Sequence, residues 1–329
     1  MRIGVLCSGG DAPGMNPCIR AIVRAAYVKG HTVVGIKHGY RGLLEEEFFI
    51  GVDGRPEIGG RDVSGLTCRG GTILYSSRCP QFATEEGVRK AVENLTRNKI
   101  DALLPIGGNG TLSGARDLGK VWNGQIIGLP GTIDNDLRGT ERTIGFSTAI
   151  QTAVEAIDKL RDTAGSHDMM FLVEVMGRHC GDLALATAVA GGCEIVSVPE
   201  IKTSIPAIVD RLNFFRKSGK KSMIMAVAEG DDSGGAYKML EMLKAAGSPY
   251  EMRVVVLGHV QRGGVPCADD RILAARLGCR AVEALGEGET GKMVGLVKGE
   301  IKLTPLEEVI VDHHEITPSM TEILGLLAT

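Results

Sequence analysis

The residues best suited to chemistry stand close together between positions 132 and 136. Thr132, Asp134, Asn135 and Asp136 supply a hydroxyl, a carboxamide and two carboxylates. Such a set can bind a magnesium ion, accept a proton, or do both. Phosphoryl transfer needs this combination of metal ligand, base and orienting hydroxyl. Asp and Asn also favour simple turns, but the combination of groups indicates a catalytic segment.

Two glycine-rich segments could bind a phosphate. The first contains Gly9, Gly10 and Gly14, and the second is Gly107-Gly108-Asn109-Gly110. Backbone N–H groups near the start of a helix attract anions, and glycine lets the backbone approach a ligand closely. One such segment could be an ordinary tight turn, but two are harder to dismiss.

The spacing of these glycines does not match the common nucleotide signatures. No GxxxxGK[ST] string of a P-loop occurs in the sequence. Gly108 and Gly110 continue to Gly114, one position late for a dinucleotide fingerprint, and the acidic residue expected about 20 positions later is missing. Hydride transfer by an NAD-type oxidoreductase is therefore the second choice after phosphoryl transfer.

Four arginines could neutralise a phosphate, because each stands near a glycine pair or the end of a predicted strand. They are Arg78, Arg178, Arg253 and Arg262. A guanidinium in such a place can bind phosphate through two parallel hydrogen bonds. His259 alone is more typical of a structural histidine, whereas Glu229 could bind a sugar hydroxyl or face solvent.

The elements that position these residues follow from the apolar pattern. Short apolar runs alternate with helical patterns, as in parallel sheets whose strands are joined by helices, so we predict an α/β fold. Strands are predicted at 3–7, 32–36, 102–106, 125–129, 170–175, 195–198, 223–228, 254–257 and 293–296, and helices at 147–163, 182–190, 205–217, 236–246 and 269–285. Ligands of such sheets bind just beyond the carboxyl ends of the strands, where the glycine and acidic segments fall.

Composition argues against several classes of protein. The 329 residues include 37 basic and 40 acidic side chains, with no long run of either sign, which disfavours nucleic-acid or membrane-surface binding. The eight cysteines form no CxxC pair, so we expect free thiols in a reducing compartment. No signal peptide and no apolar run of about 18 residues is present. We therefore expect a cytoplasmic protein.

Six strings of the sequence resemble those of the bacterial-type 6-phosphofructokinase family. They are SGGDAPGMN (8–16), RGGT (69–72), PGTIDND (130–136), VEVMGR (173–178), AGGCE (190–194) and LGHVQRGG (257–264). The resemblance runs from residue 3 to about residue 285 in the same order and at similar spacing. It implies the phosphofructokinase fold, with two Rossmann-like three-layer lobes and mostly parallel sheets.

The same resemblance implies a division of labour between the lobes. A larger, nucleotide-binding lobe would comprise 1–145 and about 259–311, and a smaller, sugar-phosphate-binding lobe 146–258 and about 312–329. The implied reaction is glycolytic: with Mg²⁺ as cofactor, the γ-phosphoryl group of ATP moves to the 1-hydroxyl of fructose 6-phosphate. The implied assembly is a homotetramer without nucleic-acid or membrane partners.

The matching positions give each motif residue an implied role. Asp134 would be the base that accepts the proton of the sugar hydroxyl. Arg253 would bind the 6-phosphate of the sugar held by a neighbouring subunit. The implied catalytic residues are Asp134, Thr132, Arg178 and Arg78, and the metal-side residues are Asn109 and Asp136. The implied ATP-binding residues are Gly9, Arg78, Cys79, Gly108, Asn109, Gly110 and Thr111. The implied sugar-phosphate residues are Thr132, Asp134, Met176, Gly177, Arg178, Glu229, Arg253, His259 and Arg262.

Two departures from the family pattern concern the substrates. Asn109 stands where the family usually has the aspartate of GGDG, so magnesium binding would depend more on Asp136. Met169 stands where a second neighbour-donated arginine is usual, which predicts weaker binding of the sugar phosphate or a shifted substrate preference.

A third departure concerns regulation. Six residues match the family's effector site for ADP and phosphoenolpyruvate: Arg20, Arg24, Arg161, Glu194, Lys220 and Lys221. However, Ser222 replaces a histidine of that site and Gly65 replaces an aspartate. Allosteric control is therefore an expectation that rests on part of the pattern.

The phosphoryl donor is predicted from Gly110 and Gly131. Pyrophosphate-using relatives typically carry a bulkier acid and a lysine at these points, in the space of the α-phosphate of ATP, so glycine favours ATP. A pyrophosphate-dependent enzyme remains one alternative. A catalytically weak regulatory relative is another, which Asn109 and Met169 favour and the retention of Asp134 disfavours.

Overall fold

The computed structural model describes residues 1–310 together with residues 320, 322, 323 and 326. These residues form two compact units. Unit 1 comprises Met1–Thr148 and 262–310, and unit 2 comprises Ala149–Gln261 with the described residues beyond 319. We predict that residues 312–329 belong to the smaller lobe. Apart from the four residues named above, this segment lies outside the described residues.

The elements alternate along the chain. The strands are β1 (Arg2–Cys7), β2 (Thr32–Ile36), β3 (Ala102–Gly107), β4 (Gln125–Thr132), β5 (Ile144–Gly145), β6 (Met169–Val175), β7 (Ile195–Ser197), β8 (Met223–Ala228), β9 (Glu251–Val256), β10 (Lys292–Val297) and β11 (Glu300–Pro305). The α-helices are α1 (Met15–Val28), α2 (Gly39–Glu45), α3 (Glu85–Arg97), α4 (Asn109–Gly119), α5 (Phe146–His167), α6 (Asp182–Ala190), α7 (Ile205–Lys217), α8 (Ala236–Ala245), α9 (Ala268–Gly286) and α10 (Leu306–Val309).

Unit 1 is built on a sheet with the strand order β11-β10-β4-β3-β1-β2, and β5 pairs with β4. Neighbouring strands run parallel except β10 and β11. Leu6, Ile36 and Leu103 share an apolar cluster with side chains of α2, α3 and α4. Gly278 allows helices α1 and α9 to pack closely together, since a Cβ on Gly278 would lie only 2.8 Å from that of Ala21. The sheet thus holds the carboxyl ends of β1, β3 and β4 at one edge.

Unit 2 is a smaller three-layer structure with the parallel strand order β7-β8-β6-β9. Alternate residues of β6 face opposite sides of its sheet. Phe171 and Val173 pack against α5 and α6, whereas Met170 and Leu172 pack against α7 and α8. Helices cover both faces of the sheet, as is usual for parallel sheets, but the edge strand β9 stays partly exposed.

The α/β prediction with mostly parallel sheets is confirmed, although several boundaries differ. The strand predicted at 125–129 continues to Thr132, and the helix predicted at 147–163 spans Phe146–His167. Strand β11 and helix α3 are not in the prediction. The start of α3 carried a usable signal, since Thr84 caps the helix by accepting a hydrogen bond from the Gly87 amide and two glutamates follow it. None of the described helices combines the length and apolar character needed to cross a membrane.

Candidate active site

The glycine and acidic segments of unit 1 meet because three adjacent parallel strands end beside one another. Strands β1, β3 and β4 are neighbours, so the segments that follow them open at the same edge of the sheet. Together they line a cavity of about 570 Å³. Its lining includes Gly9, Gly108, Asn109, Gly110, Thr111, Thr132, Asp134 and Asp136, as well as Arg78, Cys79 and Arg262.

The segment after β1 depends on glycine. Gly9 has φ of 83°, a left-handed conformation that favours glycine, and its amide donates to the Ser77 carbonyl at 3.2 Å. A Cβ on Gly10 would lie 2.4 Å from a guanidinium nitrogen of Arg262. That guanidinium also donates to the Asp11 carbonyl at 3.0 Å. Any side chain at position 10 would therefore displace Arg262 from the wall of the cavity.

Asn109, Gly110 and Thr111 form the first turn of α4. The first N–H groups of a helix lack intrahelical partners and favour anions. This turn is anchored on the sheet, because the Thr111 hydroxyl donates to the Ser8 carbonyl at 2.9 Å. The Thr111 amide already donates to the Gly108 carbonyl at 3.0 Å, so the backbone donors for an anion would be the amides that precede it.

A buried aromatic pair holds the start of α4 in place. Tyr40 and Phe82 stack with ring centroids 3.8 Å apart, and the Tyr40 hydroxyl donates to the Thr111 carbonyl at 2.7 Å. Burial raises the pKa of Tyr40, so the phenol stays a neutral donor. A Cβ on Gly114 would lie within 2.9 Å of both rings, which explains the glycine at this position. Neither Tyr40 nor Phe82 belongs to a sequence motif, so the pattern of residues alone does not point to them.

The acidic segment is held by Thr143, a fully buried residue. Its hydroxyl donates to the Thr132 carbonyl at 2.6 Å, and its amide donates to Asn135 Oδ1 at 2.9 Å. Asn135 itself has φ of 57°, which turns the backbone sharply between Asp134 and Asp136. The Thr132 hydroxyl accepts a hydrogen bond from the Asp134 amide at 3.2 Å. Thr132, the last residue of β4, and Asp134 therefore reach the cavity from a segment that these hydrogen bonds hold in place.

Asn109 and Asp136 form a pair inside the cavity. Asn109 Nδ2 donates to Asp136 Oδ2 at 2.7 Å. Asn109 Oδ1 is buried and has no hydrogen-bond partner among the described residues. An unpaired buried oxygen is costly unless a ligand or ion occupies its free side.

The two glycines used to predict the phosphoryl donor differ in their surroundings. A Cβ on Gly110 would meet nothing within 4 Å, and Gly110 lines the cavity. A Cβ on Gly131 would instead lie 2.8 Å from Ile106 Cγ2 and 3.3 Å from Met15 Cε. Gly131 therefore makes a close contact within the protein, and its part in the choice of donor stays a prediction. Gly110, by contrast, leaves open space on the cavity side, as the predicted preference for ATP requires.

The other predicted sugar-phosphate residues follow the strands of unit 2. Met176, Gly177 and Arg178 follow β6, Glu229 follows β8, and His259 follows β9. The backbone joins the first two segments, because the Glu229 amide donates to the Val175 carbonyl at 2.9 Å and the Gly230 amide to the Gly177 carbonyl at 3.3 Å. Arg178 and His259 are exposed. Arg253 lies on the edge strand β9 and pairs with Glu251 at 2.6 Å.

Three of the predicted effector residues cluster in unit 2. The buried carboxylate of Glu194 lies 3.0 Å from Lys220 Nζ and 3.5 Å from Arg161 Nη1, and it accepts a hydrogen bond from the Ile224 amide. Lys221 pairs instead with Asp168. Arg20 and Arg24 lie on α1 in unit 1.

The profile of the phosphofructokinase family matches residues 2–285. The chain belongs to the phosphofructokinase family. An ATP-dependent 6-phosphofructokinase of Thermus thermophilus is 49% identical over 327 residues, which cover 99% of both chains. The crystal structure of Pichia pastoris phosphofructokinase in the T-state matches with a TM-score of 0.87 and 35% identity, covering 99% of this chain and 36% of that one.

The phosphofructokinase fold alone does not select the phosphoryl donor. A pyrophosphate-dependent phosphofructokinase of Marinobacter aquaeolei superposes with a TM-score of 0.83 at 20% identity, covering 100% of this chain and 92% of that one. The same architecture thus serves relatives that differ in their donor. The choice must come from the residues that line the cavity.

Proposed function

We propose that this protein is an ATP-dependent 6-phosphofructokinase. It transfers the γ-phosphoryl group of ATP to the 1-hydroxyl of fructose 6-phosphate and releases fructose 1,6-bisphosphate and ADP. The observation that supports this most is the 49% identity, over 99% of both chains, to an ATP-dependent 6-phosphofructokinase. A cytoplasmic location fits this glycolytic reaction.

ATP binds in the cavity of unit 1 in this proposal. The backbone at the start of α4 receives phosphate oxygens, because the first N–H groups of a helix favour anions. Gly9 and Gly10 line the same cavity. Arg78 and Cys79 border the same space. The open side of Gly110 supports ATP over pyrophosphate, since it leaves space beside the phosphates that a bulkier side chain would take.

Asp134 is the proposed general base. It takes the proton of the 1-hydroxyl as that oxygen attacks the γ-phosphorus, while the Thr132 hydroxyl faces the transferring group. The tie between the Thr132 hydroxyl and the Asp134 amide fixes the loop before substrate arrives. Arg78 and Arg178 offset the negative charge of the transferring group, which is the main electrostatic demand of this reaction.

The cavity also fits the Mg²⁺ that kinases of this type use. Asn109 Oδ1 is a buried oxygen without a partner in the described part of the chain, and the Asp136 carboxylate contacts Nδ2 of the same carboxamide. Mg²⁺ commonly binds through one or two protein oxygens and keeps phosphate and water oxygens as its other ligands. Asn109 and Asp136 would hold the ion. When bound, it would neutralise part of the phosphate charge.

Fructose 6-phosphate is the proposed ligand of the unit 2 residues Met176, Gly177, Glu229 and His259, together with Arg178 and Arg262. The exposed Arg253 on the edge strand would serve a neighbouring subunit of a homotetramer. Met169 cannot bind the 6-phosphate as a second arginine would, because its thioether is uncharged and packs at the margin of an apolar cluster. ADP or phosphoenolpyruvate would act as effectors through the six predicted effector residues.

A coupled assay with fructose 6-phosphate, Mg²⁺ and either ATP or pyrophosphate tests the reaction. We expect turnover with ATP alone, and an Asp134→Asn loss of about 10²- to 10⁴-fold in kcat, as for removal of a general base. The control is Asp101→Asn, an exposed aspartate just before β3 at the opposite end of the sheet.

The outcomes of this assay separate the alternatives. Activity with pyrophosphate alone would contradict the donor argument at Gly110. No turnover with either donor would favour the alternative that the protein is a catalytically weak regulatory relative. A folded Asp134→Asn protein with near wild-type kcat would contradict the assigned base.

A further inference from the structure

Gln261 is a buried polar residue that no motif assignment explains. It is 0% exposed and lies between His259 and Arg262 in sequence. Its Oε1 accepts a hydrogen bond from the Met176 amide at 2.8 Å. Its Nε2 is also buried and has no hydrogen-bond partner among the described residues.

The bond from Met176 closes a gap in the backbone pairing of unit 2. Met176 is the first residue after β6, so its amide lies beyond the regular ladder of the sheet. On the β8 side, the same turn is held by the bonds from the Glu229 and Gly230 amides. Gln261 holds it on the other side. The turn 176–178 is therefore fixed by two segments at once.

The segment that carries Gln261 is itself shaped by this contact. Gly258–Arg262 forms a 3-10 helix, in which Gln261 is turned inward while His259 stays exposed. A methionine or leucine would fill a similar volume without burying an unpaired N–H group, which is costly. The bond to the Met176 amide is the contribution that an apolar side chain could not make.

We propose that Gln261 is a positioning residue for the sugar phosphate, an inference that rests on the proposed function. One carboxamide fixes the turn 176–178 relative to residues 258–261 of the 3-10 helix, and all of these residues belong to unit 2. Both segments carry residues assigned to fructose 6-phosphate, so a shift of either one misplaces part of the ligand's surroundings. Gln261 is not part of the lining of the cavity in unit 1, although Arg262 at the end of the same 3-10 helix is. The Arg262 guanidinium is held separately by its hydrogen bond to the Asp11 carbonyl, so we expect ATP binding not to depend on the Gln261 bond.

The test compares Gln261→Met, which removes the acceptor, with Gln261→Glu, which keeps an acceptor oxygen. The matched control is Gln125→Met in unit 1, whose amide donates to the Leu285 and Glu289 carbonyls. Hydrogen exchange is measured in peptides that cover 170–180. Isothermal titration gives the dissociation constants of fructose 6-phosphate and of ATP.

Gln261→Met is expected to speed exchange at 176–178 and to raise the fructose 6-phosphate dissociation constant about tenfold or more, as small misplacements do. The ATP constant should stay within about twofold on the same argument. Gln261→Glu should recover much of the loss, and Gln125→Met should change neither quantity. If Gln261→Met does not fold, Gln261→Asn, which draws the acceptor back by one methylene group, has the same expected effect.

Unchanged exchange and unchanged sugar-phosphate affinity in a folded Gln261 variant would overturn the proposal. A parallel loss of ATP and fructose 6-phosphate binding would also overturn it, because that pattern indicates general destabilisation. A wild-type protein that binds fructose 6-phosphate without phosphoryl transfer would contradict the proposed reaction alone. A wild-type protein that binds no fructose 6-phosphate would contradict both.

Discussion

The contact between Asn109 and Asp136 gives the cavity a different electrostatic character from that of two carboxylates. An amide donor can approach a carboxylate at 2.7 Å with a favourable hydrogen bond. Two carboxylates at that distance repel one another unless a cation lies between them. The pair in this chain is therefore compatible with a formed cavity whether or not an ion is bound.

Replacing Asn109 with aspartate should make the stability of the protein depend on Mg²⁺. Without the ion, Asn109→Asp should melt at a lower temperature than wild type, because the hydrogen bond becomes a repulsion. With Mg²⁺, its melting temperature should rise more than that of wild type, because a second carboxylate strengthens the ion's site. Thermal unfolding over an Mg²⁺ titration measures both effects.

The matched control for this change is Asn98→Asp. Asn98 Nδ2 also donates to a carboxylate oxygen, that of Glu46, at 2.7 Å, but outside the cavity. This variant should lose stability by the same repulsion without gaining a response to Mg²⁺. Equal Mg²⁺ responses of Asn109→Asp and wild type would contradict the assignment of Asn109 and Asp136 to the metal side.

At the scale of elements, the catalytic loop is set by its connection to β5. Thr143 immediately precedes β5, which pairs with the end of β4. Its two hydrogen bonds reach the Thr132 carbonyl and Asn135 Oδ1, so they span the residues that flank Asp134. The loop is thus preorganised by a buried threonine outside the motif.

Thr143→Val keeps the shape of this side chain but removes its hydroxyl donor. We expect kcat to fall about tenfold or more, because a loosened loop misplaces the base, while the KM values for ATP and fructose 6-phosphate change little. Thr143→Ser retains the hydroxyl and should keep most of the rate. Steady-state kinetics with both substrates measure this, and a folded Thr143→Val enzyme with wild-type kcat would refute the role.

Sequence reasoning found the residues that follow strands, because strand ends and glycines are local signals. It missed Thr143 and Gln261, whose importance lies in hydrogen bonds to backbone groups of other segments, 11 and 85 residues away. The orientation of Gly131, by contrast, follows from the local strand pattern. Successive residues of a strand face opposite sides, and since Thr132 of β4 lines the cavity, its neighbour Gly131 points away from it.

Across the whole molecule, each unit places its candidate residues where the strand order reverses. In unit 1 the chain passes from β1 to β2 on one side and returns to β3 on the other. In unit 2, β8 and β9 flank β6 on opposite sides. Such switch points open crevices at the carboxyl ends of the strands. The repeated architecture accounts for one set of candidate residues in each unit.

The turn that contains Glu229 also holds a buried carboxylate that links the global stability of unit 2 to pH. Asp231 accepts hydrogen bonds from the hydroxyls of Ser197, Thr203 and Ser233 and from the Ser233 amide. Burial raises the pKa of Asp231, but these hydrogen bonds outweigh it and hold the pKa below its ordinary value of 3.8. The folded protein therefore favours the ionised carboxylate more than the unfolded chain does.

Because the folded pKa of Asp231 is lowered, its contribution to stability is complete above 3.8 and is lost as pH falls through the folded pKa. Asp231→Asn cannot ionise, and its amide presents a donor to hydroxyls that already donate. We expect a free energy of unfolding about 1–3 kcal/mol below wild type at pH 7, with the difference shrinking below pH 3.8. Urea unfolding at several pH values measures this, with the exposed Asp158→Asn as control. A difference that stays constant from neutral to acidic pH would show that charge at Asp231 does not stabilise the fold.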